Sequence, residues 1–535
     1  MTATIQILFL LLAVLVAAAV IARRLNTAPS IVLVIAGVAL ALIPGLPRIE
    51  LAPELVLLVI LPPLIYSAGV SMSWREFRFN LRPITLLAFG LVVFTTCAVA
   101  AAAHEVLGLP WAVGFLLGAI VAPPDVVAPL TIARRLGLPH RLLVVLEGEG
   151  LANDATALIL YRFAVVAIST GMFSPAQAAG TFAAIVVGEI IWGIGVGWLS
   201  LMLRRWAREP RVEIVLSLMT PYLAYWVPEH LGGSGVLATV ATGLYVSWNG
   251  PLLIPSATRL QGIFFWDLVI YVIEGLVFLL TGLQARTLID GAHTFSLRDL
   301  AIAIAVTTTI VVIARFLWVF PSVYLPRWLS PRLARRDPAP PWQQAFVLSL
   351  IGVRGVVSLA AALAIPLTLA SGAPFPHREL ILFVTFGVII LTLVGLGLTL
   401  PAVIRWLGVT RHRAQEERQE RAAELAARHE AMDVALRRLE QNARERAIPE
   451  ETLALVRLRN DARRQQFPKN MDEGWDGTSL GAKLRIELIA AEREHLFHLL
   501  RDGKITDESR RRIERELDLE EASIACKHDG REPPL

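Results

Sequence analysis

Leu146-Glu147-Gly148-Glu149-Gly150-Leu151-Ala152-Asn153-Asp154-Ala155-Thr156-Ala157-Leu158-Ile159-Leu160 carries three carboxylates and an amide through an otherwise apolar run. Inside a bilayer each ionisable group costs at least about 2.5 kcal/mol even on lenient insertion scales, so groups kept there have a task. Read as a helix, the stretch sets Glu149 and Asn153 four apart on one face, with Gly150 and Asp154 four apart on the neighbouring face. Asp154 then looks onto a position without a side chain, which leaves room for a ligand or another backbone. A carboxylate beside an amide suits a hard monovalent cation or a proton, and the stretch holds no His or Cys to favour a transition metal.

The surrounding chain supplies the membrane. It has 535 residues, 55% of them hydrophobic, and a mean hydropathy of +0.59. Apolar runs of roughly 18 residues or more recur between short polar links, the pattern of an all-α polytopic membrane protein. Lipid admits only helices and closed barrels, and these runs are too long for barrel strands. About thirteen spans are expected, among them roughly 111–131, 142–169, 262–283, 299–325, 343–367 and 379–406. The first run, Ile5 to Ile21, ends in Arg23-Arg24 rather than at a small-residue cleavage site, so a retained helix is expected rather than a signal peptide.

The formal charge of +5 does not point to nucleic acid, because topology distributes the arginines. Arg23, Arg24, Arg75, Arg78, Arg82, Arg134, Arg135, Arg141, Arg204, Arg205, Arg208, Arg211, Arg259, Arg327, Arg332, Arg335 and Arg336 fall in alternate links, whereas the other set holds only Arg48, Arg286, Arg298 and Arg378. The bias over all the links, roughly four to one, predicts an N-terminus outside and a C-terminal tail in the cytoplasm. From about Thr410 the composition turns to Ala, Glu and Arg at helical spacing, with Pro449 as an interruption and a looser link from Phe467 to Thr478. The expected division is therefore a transmembrane domain over 1–408 and a helical cytoplasmic tail over 409–535, the tail's charges forming mostly a solvated face. Two cysteines, Cys97 and Cys526, support neither a disulfide framework nor a thiolate metal site.

Three further polar features interrupt the apolar background. Ala122-Pro123-Pro124-Asp125 cannot continue a helix, since paired prolines remove donors and clash with the preceding turn. A break beside a carboxylate is how secondary transporters build ion sites, the plain alternative being a proline kink with Asp125 at its boundary. Gly352-Val353-Arg354-Gly355 places an arginine deep in an apolar run. Arg354 cannot deprotonate near neutral pH and is expected to be a fixed counter-charge, with Glu149 as its best candidate partner. Glu274 either lines a pathway or sits at a helix interface. Spans four to six and eleven to thirteen form two triplets of opposite direction, each with a broken middle member, the arrangement of an inverted-topology repeat with two crossing broken helices.

At these residues the chain resembles the bacterial sodium/proton exchangers of the monovalent cation/proton antiporter-1 family. The resemblance rests on Gly118 to Pro129, Leu138 to Ala164 and Gly352 to Pro366, with Ser234-Gly235-Val236-Leu237-Ala238 and Gly282-Leu283-Gln284 in support. It implies electroneutral exchange of Na+, with K+ or Li+ as further cargo, for a proton by a homodimer in the bacterial inner membrane, serving pH and sodium homeostasis. It also implies Asn153-Asp154 as the ion-binding pair with Asp154 the shared carrier, Asp125 as the broken-helix aspartate that joins it on Na+, and Glu149 with Arg354 as a structural ion pair. Three departures bear on the pathway: Pro124 replaces a common threonine, Gly150 removes a hydroxyl, and Ser67 replaces an acid found in some members.

Na+ and H+ are cargo in this reading, and no cofactor is called for. A passive cation channel is the alternative, but it would need neither a titrating buried carboxylate nor paired broken helices. An enzyme is not expected: His104, His140, His230, His293 and His377 lie at span ends or links, and no nucleophile–base spacing emerges.

Overall fold

The computed structural model describes residues 2–25, 27–44, 51–291, 296–369, 372–409, 413–445, 448–465, 480–502, 504 and 507–528. Arg48, His293 and the Phe467–Thr478 link lie outside the described residues. The described residues form helices and no strand, with a single isolated bridge between Thr368 and Pro374. They fall into two compact units, Met1–Arg413 and Ala414–Leu535.

In the first unit seven helices among the described residues are long and apolar enough to cross a bilayer: Gln6–Leu25, Leu81–Glu105, His140–Thr170, Pro175–Ala207, Ser256–Ile289, Leu297–Leu329 and Arg378–Leu407. Pro29–Ala41, Leu55–Ser71 and Trp111–Val121 are apolar but shorter. The gap between seven and about thirteen has local causes. The prolines and glycines expected to break helices split two spans into halves, Trp111–Val121 with Val127–Leu136 and Trp342–Leu350 with Val356–Leu363. Pro210–His230 and Val236–Leu253 are long enough but less apolar than those seven.

Small residues set how closely these helices approach, as expected where apolar lipid gives no drive for association. A Cβ on Gly37 would stand 2.3 Å from the carbonyl oxygen of Leu279, and one on Gly282 2.2 Å from that of Val34. Helices Pro29–Ala41 and Ser256–Leu283 therefore pack backbone to backbone. Two π-helical turns, Leu55–Ile60 and Leu86–Leu91, release carbonyls that side chains recover. Trp226 Nε1 donates to Leu58 O at 2.9 Å, and Trp318 Nε1 to Leu86 O at 2.8 Å.

Ser234–Ala238 proves to be a helix start with an outside cap. Gly235 is left-handed (φ 69°), and the buried carboxylate of Glu189, from Pro175–Ala207, accepts the backbone N–H groups of Ser234 (2.5 Å), Gly235 (3.0 Å) and Leu237 (3.0 Å). The orphan donors of a helix N-terminus are thus satisfied by a charge that also suits its dipole.

At one end of the bundle three helices are tied together by Asp337. Arg82 Nη2 and Arg327 Nη2 donate to its Oδ2 at 3.0 and 2.9 Å, and Arg141 Nη1 lies 2.7 Å from its Oδ1. Burial alone would raise the carboxyl's pKa, but Arg141 and Arg327 outweigh it and hold Asp337 below the usual carboxylate range.

The second unit contains helices Arg413–Glu445, Glu450–Gln465, Leu480–Arg501 and Asp507–His528. The last two pack together through buried Ile489, Leu496 and Leu517, flanked by Arg485 on Glu520 (2.8 Å) and Arg493 on Asp518 (2.6 Å).

Asp337→Asn is expected to destabilise the detergent-solubilised protein by about 2–3 kcal/mol, the loss of charged hydrogen bonds. A carboxyl with a depressed folded-state pKa contributes fully above its unfolded value of about 4 and loses that contribution as pH falls through the folded value. Thermal melts from pH 7 downward should therefore show the gap between wild type and variant closing only in acid.

Candidate ion-binding site

Pro123 and Pro124 follow the end of helix Trp111–Val121, and the chain is non-helical until Val127 starts the next helix. Residues 351–355 interrupt the second broken pair in the same way. The two interruptions touch: the Asp125 N–H donates to Val353 O at 2.7 Å. Asp125 turns its own carboxylate onto the following helix, where Oδ1 accepts the Val127 N–H at 2.9 Å. Only glycine fits opposite, because a Cβ at Gly355 would lie 1.9 Å from Asp125 Oδ2.

Broken helices leave carbonyls that lipid cannot satisfy. Arg354 takes two of them, donating from Nε to Val121 O at 2.8 Å and from Nη2 to Ala122 O at 3.2 Å, and Nη1 reaches Gly352 O. Its own N–H is held by Thr392 Oγ1 at 3.0 Å. Arg354 is thus the cap of the broken helices.

The expected Glu149–Arg354 ion pair is therefore corrected. Glu149, fully buried, is held in bidentate fashion by Arg315, with Nη1 on Oε1 at 2.5 Å and Nη2 on Oε2 at 2.8 Å. Arg315 comes from Leu297–Leu329 and also donates Nε to Leu348 O at 3.1 Å, so it joins three helices. The physical reason is geometric. Arg354 lies in the break itself, where several carbonyls converge on it, while the neighbouring intact helix can offer Glu149 a flat two-pronged donor. Arg315 is absent from the sequence-based candidates, although an arginine in the run Val311-Val312-Ile313-Ala314-Arg315-Phe316 meets the same membrane-cost criterion as Arg354.

Asn153 is buried and donates Nδ2 to Pro124 O at 2.7 Å, which leaves its Oδ1 without a hydrogen-bond partner. Since Pro124 O can only accept, the amide nitrogen must face it and the oxygen must face away. Asp154, next in the helix, is only partly buried, and its charge is close enough to that of Asp125 for the two to interact. Asn153, Asp154, Pro124 and Asp125 are thus brought together.

Of the two occupants expected at Gly150, a ligand or another stretch of chain, the structure has the second. The space is filled by the broken helix, for a Cβ there would meet Val126 Cγ2 at 2.2 Å. Glu274 is partly buried on Ser256–Leu283, near enough to interact electrostatically with Asp125. Ser67 is partly buried on Leu61–Ser71, and its hydroxyl makes no hydrogen bond among the described residues. Glu147 stands apart from this group, 2.5 Å from Arg134 Nη2.

The transmembrane sodium/hydrogen exchanger model matches residues 10–406. The chain belongs to the sodium/hydrogen exchanger family. Among relatives of this exchanger, an uncharacterised Na+/H+ exchanger of Mycobacterium bovis is 34% identical over 533 residues, 97% of this chain and 96% of its own length. A sodium, potassium, lithium and rubidium/H+ antiporter of Bacillus pumilus is 33% identical over 377 residues, 68% of this chain and 56% of its own. The fold matches that of the sodium proton antiporter MjNhaP1 from Methanocaldococcus jannaschii, with a TM-score of 0.59 at 18% identity, covering 75% of this chain and 97% of that one. The exchanger is a multi-pass membrane transporter that exchanges a cation for protons, and the comparisons give no support to a passive channel.

Arg315→Met should destabilise the exchanger by about 3–5 kcal/mol, because it strands a buried carboxylate, while Glu149→Leu combined with Arg315→Met should recover much of the loss. A double-mutant cycle on thermal unfolding checks the pairing; stronger coupling of Glu149 to Arg354 than to Arg315 would contradict it. Gly150→Ser should push Val126 aside and lower exchange rather than add a ligand, measured as initial rate in vesicles.

Proposed function

We propose that Asp154 is the shared carrier at which one monovalent cation and one proton compete. The observation that carries this is the charge census of the crossing. Arg315 and Arg354 supply two positive charges, and Glu149, Asp125 and Asp154 supply three negative ones. With all three carboxylates ionised these five groups, Glu274 at the approach left aside, carry one uncompensated negative charge in an apolar bundle. A bound cation or a proton on Asp154 removes it equally well, so each form of the carrier is neutral and the exchange moves no net charge. The sequence-level pairing of Glu149 with Arg354 alone would have left two uncompensated charges.

Asp125, Asp154 and the unused Oδ1 of Asn153 supply hard oxygen donors, the chemistry that suits Na+. The carbonyls of Val121, Ala122 and Pro124 each already accept a hydrogen bond, which shifts the donor set toward the side chains and water. Glu274 stands at the approach to Asp125, while Ser67 has no contact that gives it a part. The name of the Bacillus pumilus relative supports including K+ and Li+ as cargo. No cofactor enters this cycle.

The surrounding assignment follows the same reading. The reading has thirteen crossings, the N-terminus outside and the tail beyond residue 408 in the cytoplasm of a bacterial cell, and the charge bias of the links supports it. A homodimer in the inner membrane serving sodium and pH homeostasis is what the family resemblance implies.

In everted vesicles, Na+, Li+ or K+ should each be tested for dissipation of a proton gradient. Asp154→Asn is expected to abolish the response, and Asn153→Ala to raise the cation concentration for half-maximal response several-fold. Full activity in Asp154→Asn would remove the carrier assignment. A rate in proteoliposomes that rises strongly with an imposed potential would remove the electroneutral one.

A further inference from the structure

We propose that the arginine-rich cavity at the Asp337 end of the transmembrane bundle binds a phosphate-bearing anion, with an anionic phospholipid headgroup as the source that its surroundings favour. The cavity has a volume of about 1370 Å³ and is lined by Arg75, Arg78, Arg82, Arg141, Arg336 and Asp337. It lies away from Asp154 and plays no part in the exchange cycle described above.

The positive charge is not spent internally. Asp337 already serves Arg82, Arg141 and Arg327, and Glu76, the other acid on the wall, is 2.8 Å from His140 Nε2. Arg75, Arg78 and Arg336 are exposed, and their side chains make no ion pair or hydrogen bond among the described residues. Arg82 Nη1 is buried with no hydrogen-bond partner, an orphan donor on the wall of the cavity. Guanidinium forks converging on one space match the tetrahedral oxygens of a phosphate better than a point charge or a peptide carboxylate would.

The position favours lipid. The cavity lies where helices Leu81–Glu105, His140–Thr170 and Leu297–Leu329 begin or end, at the edge of the apolar layer. Phe79 and Leu81 line it with 58% and 49% of their surface exposed, apolar ground for acyl chains beside a basic headgroup site. Arg141, which also lies over the Phe79 ring at 5.6 Å, sits in the first turn of the helix that carries Asp154. An anion drawing on Arg141 and Arg82 would brace that helix at its end.

The test is thermal unfolding of the full-length protein in detergent with phosphatidylglycerol, phosphatidylcholine or inorganic phosphate added. A ligand that binds only the folded state raises the midpoint with concentration. Phosphatidylglycerol should raise it by several degrees and phosphatidylcholine should not. Replacing Arg75, Arg78 and Arg336 by Ala together should abolish most of that gain while leaving the lipid-free midpoint near wild type, and Arg78→Glu alone should weaken it. A gain from inorganic phosphate that the same variants remove also supports the site and assigns it to a soluble anion. Equal shifts in wild type and variants, equal shifts with both lipids, or no shift with any anion would overturn it.

Discussion

Two interrupted helices leave backbone carbonyls without partners inside an apolar bundle, and this shortage organises the centre of the molecule. Lipid cannot repair it, so side chains must. Arg354 caps Val121 and Ala122, Asn153 caps Pro124, and the Asp125 N–H closes on Val353. Each of these groups is then fixed in place by a bond that has nothing to do with cargo. Among the acceptors not used in this way are Asp125 Oδ2, the Asp154 carboxylate and the Asn153 amide oxygen.

The two buried arginines divide the work. Arg354 serves backbone, while Arg315 serves Glu149 and the end of helix Trp342–Leu350. They stand close together, for a Cβ on Gly352 would lie 2.9 Å from Arg354 Nη1 and 3.0 Å from Arg315 Cδ. Two like charges at that range are tolerable only beside carboxylates. Glu149, held by Arg315, is also close enough for its charge to act on Arg354. In the proposed cycle the one negative charge in excess is the exchangeable charge.

Much of the plan was legible because membrane depth penalises polar groups individually. Asp125, Glu149, Asn153, Asp154 and Arg354 each stand out against apolar neighbours, and Pro123-Pro124 and Gly352/Gly355 announce the breaks that the fold contains. Partner choice was less legible. Arg354 and Arg315 are equally anomalous in one dimension, and only the path of the helices decides which reaches Glu149. Gly150 leaves room for a ligand or another backbone in the sequence, which does not show the Val126 that fills the gap. The capping of Val236–Leu253 by Glu189 was hidden for a similar reason, since the two are separated by a turn and an intervening helix.

By itself, then, the sequence determined the environment, the broken helices and the residue types able to handle a cation or a proton. Those follow from local rules: hydropathy over a run, proline chemistry, and the cost of charge in lipid. The tertiary structure alone decided which charges cancel. Electrostatic pairing depends on ångström distances between helices far apart in the chain, Glu149 and Arg315 being 166 residues apart. That pairing ties Glu149 to Arg315 and leaves Arg354 to the carbonyls of the broken helix.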